Sequence, residues 1–515
     1  MKERKGNSKR WTVMAVLCMP LFILAIDNTV LNLALPSISR DLGSSASQLQ
    51  WIVDAYILVF AALLLTMGAI GDRWGRRRLL LLGLFLFGAG SLAAALSAST
   101  NMLIVCRAFL GIGGAMIIPS TLSILIDIFR EPRERAQAIA VWAAVFALGA
   151  GIGPVVGGYL LQYFHWSSVF FINIPVVAVA VTGGLIFIRE SRGEGAPKPD
   201  LAGMFLSTGG LFALVYGIIE AGEKGWTIGT VVLFLGIGLA LLGIFAWWER
   251  RSKHPMLPLV FFRNMSFTGA SVAMVLVAFS FMGSLFFLSQ YFQSVHGYSP
   301  IAAALRILPM AVAVFVIAIM SARIARRIGI KLAVGLGILI SGFGLFYLSQ
   351  LATVDTSYPV LIGGIILLAV GMGMTMSPAT DSIMGALPLN RAGIGSAMNN
   401  TTRQIGGALG VAVLGAVMNA TYLSKIEGLS FMSSLPDGAA EAVRSSIQGA
   451  HIVAGQFPPE ISQAIIKGSS EAFASGMTEA MFIGAIIMFM TFVITLIILP
   501  RRVQTVKEDR EEIDT

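Results

Sequence analysis

The sequence predicts an all-α integral membrane protein with fourteen membrane-crossing helices, arranged as two six-helix bundles plus two inserted helices. Three observations predict it. Of the 515 residues, 56% are hydrophobic and only 12% are charged, about half the charged share of a soluble domain. Apolar runs of spanning length begin near residues 11, 49, 79, 102, 137, 168, 201, 228, 267, 300, 332, 358, 397 and 478. One loop also occurs twice: Ile70-Gly71-Asp72-Arg73-Trp74-Gly75-Arg76-Arg77-Arg78-Leu79 follows helix 2, and Ile324-Ala325-Arg326-Arg327-Ile328-Gly329-Ile330-Lys331-Leu332 follows helix 10. Superposing Gly75 on Gly329 makes helix 2 the equivalent of helix 10 and leaves helices 7 and 8 as the inserted pair. The expected units are a first bundle over 1–190, the inserted helices over 191–255 and a second bundle over 256–515.

Taken in order, the chain opens on Lys2, Arg4, Lys5, Lys9 and Arg10. That resembles the start of a signal peptide, but the apolar run from Trp11 to Leu33 is too long for one, and no small-residue cleavage site closes it. A retained first helix is expected. Alternate loops then divide by charge. Basic residues fill the N-terminus, Arg73 to Arg78, Arg130 to Arg135, Arg189 to Lys198, Arg250 to Arg263, Arg323 to Lys331, Arg391 to Arg403 and the C-terminal tail. The opposite loops hold only Arg40, Lys224, Lys425, Arg444 and Lys467. Positive residues stay inside, so both termini are expected in the cytoplasm of a bacterial cell, with the chain threaded through the cytoplasmic membrane. Helix 5 contains Gly149, Gly151, Gly153, Pro154, Gly157 and Gly158 within ten residues. In lipid such a run makes a tight packing seam with a bend. Before the last helix, about 421–477 reads as an external hairpin: a polar-apolar helix around Gly438 to Val453, then Pro458-Pro459, then a second from Glu460 to Phe473.

The net charge of +9 lies between spans and not on one face, so it reports topology and not nucleic acid. Cys18 and Cys106 fall inside apolar runs, and His165, His254, His296 and His451 are scattered. No metal and no cofactor are expected. A membrane enzyme would need a convergent His, Asp or Cys cluster at the surface, and the sequence offers none.

Ionisable residues inside spans are costly and mark pathways. Asp27 on helix 1, Asp54 on helix 2 and Arg107 on helix 4 fall at similar depth, in the outer half of the first bundle, as a trio suited to holding and releasing a proton. In the second bundle Asn400, Arg403, Gln404 and Gly407 share one face of helix 13, and Asp381 on helix 12 is in reach of Arg403. Gln290, Tyr291 and Gln293 near the outer end of helix 9, with Arg306 on helix 10, are candidate wall residues of the substrate path, the alternative being interfacial anchors. In the loop after helix 2, Asp72 and its neighbouring arginines can cap helix ends and latch a cytoplasmic gate.

These residues carry a resemblance. The chain resembles the fourteen-helix drug:proton antiporters of the major facilitator superfamily over essentially its whole length. Gly68-Ala69-Ile70-Gly71-Asp72-Arg73-Trp74-Gly75-Arg76-Arg77 is similar to the superfamily's loop signature, and Gly149 to Gly158 to the helix-five signature of exporters. Leu24-Ala25-Ile26-Asp27-Asn28-Thr29-Val30-Leu31-Asn32-Leu33-Ala34-Leu35-Pro36, continued by Trp51-Ile52-Val53-Asp54, resembles the helix-one motif of this branch. Arg107 through Pro119 resembles the helix-four motif, whose arginine the family associates with proton transfer. The nearest likeness is to quaternary-ammonium exporters, which also have a long external loop before the last helix. There the resemblance implies that Asp27 and Asp54 match acids important for coupling or cation binding. The chain departs from them in two places. Asn399, Asn400, Arg403 and Gln404 stand where those exporters place acids early in helix 13, and Leu110 replaces a common glutamine. Neutral, zwitterionic or monocationic drugs are then as plausible as dications.

The expected function is proton-coupled efflux of small amphipathic drugs across the lipid bilayer, by a monomer; the alternative is an exporter of one antibiotic, lipid or siderophore on the same fold. A proton-coupled importer of peptides would carry an ExxER signature on helix 1, and Leu24 to Asn28 has none.

Overall fold

A computed structural model describes residues 2–129, 131–193, 199–252, 255–257, 259–386 and 392–500. Among the basic positions marked above, Arg130, Lys198, Arg391 and the tail beyond Pro500 lie outside the described residues. Fourteen helices among those described are long and apolar enough to cross a membrane: Arg10–Leu42, Ala46–Trp74, Arg76–Ala95, Thr100–Ile128, Gln137–Tyr163, Ser168–Phe187, Leu201–Lys224, Gly229–Arg251, Met265–Val295, Pro300–Ile328, Ile330–Leu351, Tyr358–Gly385, Met398–Glu427 and Pro459–Ile498. They are helices 1 to 14 below. The connections are short because the caps are local. Ser45 Oγ accepts from Gln48 N while Gln48 Oε1 accepts from Ser45 N, a capping box that starts helix 2 two residues after helix 1 has turned at Gly43. Ser99, Asp200 and Ser299 cap helices 4, 7 and 10 in the same way.

Both copies of the repeated loop turn on a glycine. Gly75 (φ +132°) and Gly329 (φ +87°) end helices 2 and 10, and the next helix begins one residue later. A side chain is disfavoured at such angles, so the two-fold repeat is a backbone requirement.

Helices 1 to 6 pack as one bundle, through the pairs 2–4, 3–4, 1–5, 1–6 and 3–6. Helices 9 to 14 form the second, through 9–13, 9–12, 10–12, 11–12, 11–14 and 13–14. Helix 7 packs on its partner helix 8 and lies against both helix 2 and helix 13, across the seam. The bundles meet mainly where helix 2 faces helix 13 and helix 5 faces helix 10.

Helix 5 justifies its glycines. A Cβ on Gly149 would stand 2.7 Å from the Phe22 carbonyl oxygen, one on Gly153 would overlap Thr29 Oγ1, and one on Gly157 would press on Val30 at 3.0 Å. These three glycines are four residues apart and form one stripe against helix 1. Gly158 leaves the stripe and meets helix 10, where an added Cβ would stand 2.7 Å from Ala304 Cβ and 3.1 Å from the Pro300 oxygen.

Inter-bundle bonds gather on the face that bears the hairpin. Ser289 Oγ donates to the Asn32 oxygen at 2.6 Å and Gln293 Nε2 to the Leu33 oxygen at 3.0 Å, tying helix 9 to helix 1. Ser47 Oγ donates to Glu223 at 2.9 Å. At the hairpin face the two bundles are thus bonded directly to each other.

The hairpin differs from expectation. Asp437–Ser445 and Ile447–Ala454 are two short helices where one was expected, broken at Ser446, whose side chain caps the second. The segment from Glu460 to Phe473 is not a separate helix; it is the first part of helix 14, which runs unbroken over forty residues from Pro459. Nothing between Phe473 and 478 breaks a helix, and Gly476 there packs closely on the Met418 oxygen. The hairpin is seated by Tyr422 Oη, which donates to the Val443 oxygen at 2.8 Å, and by Gln448 Nε2, which donates to Ser294 Oγ at 3.1 Å.

Two predictions follow from this packing. Gly153→Leu should lower the stability of the detergent-purified protein by about 1–3 kcal/mol, since helix 1 has no room for the side chain; an unchanged thermal transition would refute the seam. His451, in the second hairpin helix, has its pKa lowered by burial first and then by the Arg40 charge. The docked hairpin therefore excludes a proton that the undocked one accepts at the ordinary 6.5. Docking should be at full strength above that pH and weaken as the pH falls from it toward the lowered value. Hydrogen-exchange protection of 437–454, corrected for intrinsic rates, should drop between about pH 7.5 and 5.5, and His451→Gln should remove the drop.

Candidate functional site

The site starts from how helix 1 is turned. Phe22, Ala25, Ile26, Thr29 and Val30 are taken up by the glycine stripe of helix 5. Asp27 therefore points to the other side, toward helices 4 and 6. Helix 4 approaches helices 2 and 3 just as closely: a Cβ on Gly111 would lie 2.7 Å from the Tyr56 oxygen, and one on Gly113 would lie 2.8 Å from the Gly83 oxygen. Arg107, one turn before Gly111, is carried by that approach into the centre of the first bundle.

There Arg107 Nη1 donates to Asp27 Oδ2 at 2.6 Å, with each side chain only 2% exposed. Its Nε donates to the Ile52 oxygen at 3.1 Å, and its Cζ stands 4.4 Å from the centre of the Tyr56 ring. The second carboxylate oxygen, Asp27 Oδ1, accepts from Asn173 Nδ2 of helix 6 at 3.3 Å, and the same nitrogen donates to Ser91 Oγ of helix 3 at 3.0 Å. Asn28 Nδ2 donates to the Leu24 oxygen at 2.8 Å and more distantly to Tyr56 Oη. Five of the six helices of the first bundle thus contribute to one buried polar cluster. Paired charges with their remaining bonds filled are the form in which low-dielectric surroundings tolerate ions.

Asp54 is not in that cluster, which corrects the expected trio. Ile52 and Asp54 are about 200° apart around helix 2, so when Ile52 faces Arg107, Asp54 faces away. Asp54 lies one turn from Gln50, whose amide packs on Gly415 of helix 13, and so points to the seam between bundles. It is fully buried, and neither of its oxygens has a hydrogen-bond partner among the described residues. Of the two acids buried in the first bundle among the described residues, Asp27 is paired and Asp54 is not.

The gate loop is latched within its own bundle. Arg76 Nε donates to Asp72 Oδ1 at 2.7 Å, Gly193 N to the Asp72 carbonyl oxygen at 2.8 Å, and Arg76 N to the Ser191 oxygen at 3.0 Å. Glu190 accepts from Arg77 N and Arg78 N at 3.1 and 3.3 Å. This carboxylate caps the start of helix 3, where an anion is favoured. Sequence reasoning had given capping to Asp72 and missed Glu190. A Cβ on Gly68 would lie 3.7 Å from that of Pro119, and Arg73 is exposed.

In the second bundle the expected pair is absent: Asp381 is exposed and forms no ion pair with Arg403. Arg403 Nη2 instead donates to Asn400 Oδ1 at 3.3 Å, one turn away on its own helix, and its Cζ lies 5.6 Å from the Phe146 ring of helix 5. Asn400, Arg403 and Gln404 are half-buried on the side of helix 13 that meets the first bundle. Gln290 and Tyr291 are buried beneath the hairpin, where Gln290 Oε1 faces Gln448 Nε2 and Tyr291 Oη donates to the Thr353 oxygen. Arg306 sits among aromatic rings, 3.8 Å from the Tyr298 centre and 5.4 Å from that of Tyr358. Gln290 thus meets the hairpin, Tyr291 the loop after helix 11, and Arg306 two aromatic faces, a setting that suits a guanidinium.

Asn173, Ser91 and Tyr56 were missed by sequence reasoning. The available signal was an amide inside the apolar run Phe170-Phe171-Ile172-Asn173-Ile174-Pro175. Nothing in one sequence tells which neighbour such an amide meets.

The sequence profile described as Major Facilitator Superfamily matches residues 17–411. The chain is 34% identical to the Multidrug efflux pump LfrA of Mycolicibacterium smegmatis, over 93% of this chain and 94% of that protein. It is 32% identical to the Methyl viologen resistance protein SmvA of Salmonella typhimurium, over 90% and 93% of the two chains. Among solved structures it is similar to a bacterial homolog of the human lysosomal transporter Spinster, in an inward-facing and unoccupied conformation. The TM-score is 0.66 at 19% identity, covering 97% of this chain and 99% of that one, a likeness of fold.

The geometry separates the two acids by stability. Arg107→Ala leaves Asp27 buried without its cation and should cost about 3–5 kcal/mol. Adding Asp27→Asn should recover part of that loss, and Asp54→Asn, which breaks no bond, should be close to neutral. Thermal unfolding of the wild type, Arg107→Ala, Asp27→Asn, their double variant and Asp54→Asn measures this; additive losses for Arg107 and Asp27 would mean that the pair is not coupled.

Proposed function

The chain belongs to the Major Facilitator Superfamily, and on that premise we propose that it is a proton-coupled exporter of small amphipathic drugs. The single observation that carries the proposal is the buried Asp27–Arg107 pair with the unpaired Asp54 in the same bundle. Intramembrane acids of this kind are costly unless they serve a pathway. Asp27 and Asp54 are the groups that take up and give back protons. Arg107 competes with the proton for Asp27, so arrival of one displaces the other. Asp54 at the helix 2–helix 13 seam exchanges its proton as the bundles part there.

The drug enters from the face that bears the termini, opposite the face where helices 1 and 9 are bonded together. Basic loops mark that face as cytoplasmic, which makes the membrane the cytoplasmic membrane of a bacterium and the direction of drug movement outward. Asn400, Arg403 and Gln404 of helix 13, with Phe146 across from Arg403, form the wall of the substrate path. An arginine there disfavours a dication beside it and suits neutral, zwitterionic or singly charged amphipaths. The path lies between the two bundles of one chain, so the monomer is the transport unit. The units that move are 1–190 and 256–515, with 191–255 spanning their seam. Helix 5 keeps its Gly149-to-Gly158 seam on helix 1 and closes on helix 10 at Gly158.

The energetics favour two acids. A charge crossing about 100 mV is worth about 2.3 kcal/mol, and tenfold accumulation costs about 1.4 kcal/mol. One proton for one monovalent cation moves no net charge and draws on the pH gradient alone; two protons draw on the voltage as well. A narrower reading, export of one antibiotic, is favoured by the relative named Tetracenomycin C resistance and export protein from Streptomyces glaucescens, 35% identical over 67% of this chain and 64% of that protein.

Inverted membrane vesicles with an acid interior, given a panel of neutral, zwitterionic, monocationic and dicationic drugs, test both readings. Proton leakage on adding several unrelated amphipaths is expected, and a response to a single compound would favour the narrower reading. Asp27→Asn and Asp54→Asn should each insert normally and lose the drug-driven leakage. Full leakage in both variants would overturn the coupling role.

A further inference from the structure

We infer that Asn173 is the positioning residue that lets Asp27 exchange its proton without ever losing a hydrogen-bond partner; this rests on the reading of Asp27 as a proton carrier. Asn173 is fully buried. Its Nδ2 serves two acceptors, Asp27 Oδ1 at 3.3 Å and Ser91 Oγ at 3.0 Å, whereas its own Oδ1 is buried with no partner. A buried carbonyl oxygen left unfilled costs about 1–3 kcal/mol, so an amide placed only to brace the fold would be poorly placed.

The vacancy has a use once Asp27 is neutral. A carboxylate accepts only, and a carboxylic acid must also donate. An amide carries a donor and an acceptor on one carbon, and half a turn of its terminal torsion exchanges them. With Asp27 ionised, Nδ2 faces it, as seen here. With Asp27 protonated, the turned amide presents Oδ1 to the new O–H. Ser91 follows, because a hydroxyl that accepts from Nδ2 can equally donate to Oδ1. The proton comes from water on one face of the membrane and leaves to water on the other; Asn173 and Ser91 reorient and neither gains nor loses one.

The other partner of Asp27 is provided for in the same way. When the acid is neutral, Arg107 keeps the Ile52 oxygen at 3.1 Å and the Tyr56 ring at 4.4 Å. The local backbone explains why an asparagine can reach the site. Helix 6 is interrupted after Ser168–Phe171, and Asn173 opens the segment Asn173–Phe187. Pro175 has no N–H to continue the preceding turn, so the side chain at 173 is set by the start of a helix and not by its interior.

The test reads protonation directly, with the proton as the only ligand. In purified full-length protein, the carboxylic C=O infrared band that disappears in Asp27→Asn is titrated against pH. Asn173→Leu, similar in size but without a donor or acceptor, should move the midpoint up by about one pH unit, because the charge-assisted bond lost from the carboxylate is stronger than the neutral bond lost from the acid. Asn173→Ser, whose hydroxyl both donates and accepts, should lie nearer the wild type than Asn173→Leu does. If Asn173→Leu does not yield folded protein, Asn173→Ala takes its place with the same expectation. A folded Leu or Ala variant whose midpoint matches the wild type overturns the inference, as does a Ser variant that moves as far as Leu. If no band of the wild-type protein depends on Asp27, it is the proton-carrier reading that fails.

Discussion

The rest of the molecule depends on one interaction, the ion pair between Asp27 and Arg107. Two opposite charges in the middle of a bundle are expensive to take from water and are kept only when geometry and extra bonds compensate. Here the guanidinium is shared between the Asp27 carboxylate, the Ile52 carbonyl and the face of Tyr56, and the carboxylate between Arg107 and Asn173. Helices 1, 2, 4 and 6 must keep their rotation for these bonds to exist, and Ser91 adds helix 3. The pair therefore acts as a registry device, and a change in its charge state is felt by every helix of the first bundle except the fifth.

Helix 5 acts from the other side. Its glycines bring helix 1 so close that helix 1 cannot rotate without overlap, and that fixes the direction in which Asp27 points. The same helix ends its seam at Gly158 against helix 10, where the two bundles touch on the hairpin face. The glycine run is thus a backbone part that joins the rotation of helix 1 to the contact between the bundles. No side chain in it binds a charge.

The two acids of the first bundle answer different needs. Asp27 is tied to its own bundle by a cation and an amide; Asp54 has no hydrogen-bond partner and lies at the face where helix 2 meets helix 13. Helix 7 covers that face from outside, bonded through Glu223 to Ser47 and through the Gly222 oxygen to Asn419. The inserted pair of helices thereby reaches both bundles at the place where they must separate. At the closed end, the hairpin adds a layer over Gln290 and Ser294, seated by Gln448.

Much of this was legible in the sequence, for a physical reason: lipid forbids unsatisfied backbone and unpaired charge, so helix count, loop charge, intramembrane acids and glycine seams are written in one dimension. Fourteen spans, the paired glycines at 75 and 329, and the presence of Asp27 and Arg107 as charges inside spans needed no coordinates. What needed tertiary structure was direction around each helix. Depth alone put Asp54 with Asp27, and 200° of helix 2 separates their surroundings. Reach alone put Asp381 with Arg403, but Arg403 turns to Asn400 and Phe146. Periodicity divided 421–477 into a hairpin and a last span, and a continuous helix from Pro459 absorbed half of it. Asn173 and Glu190 were unremarkable as letters. They became the partner of Asp27 and a helix cap only because helix 6 and the segment after it pack where they do, and that packing is decided by side-chain shape across helices, which no single sequence spells out.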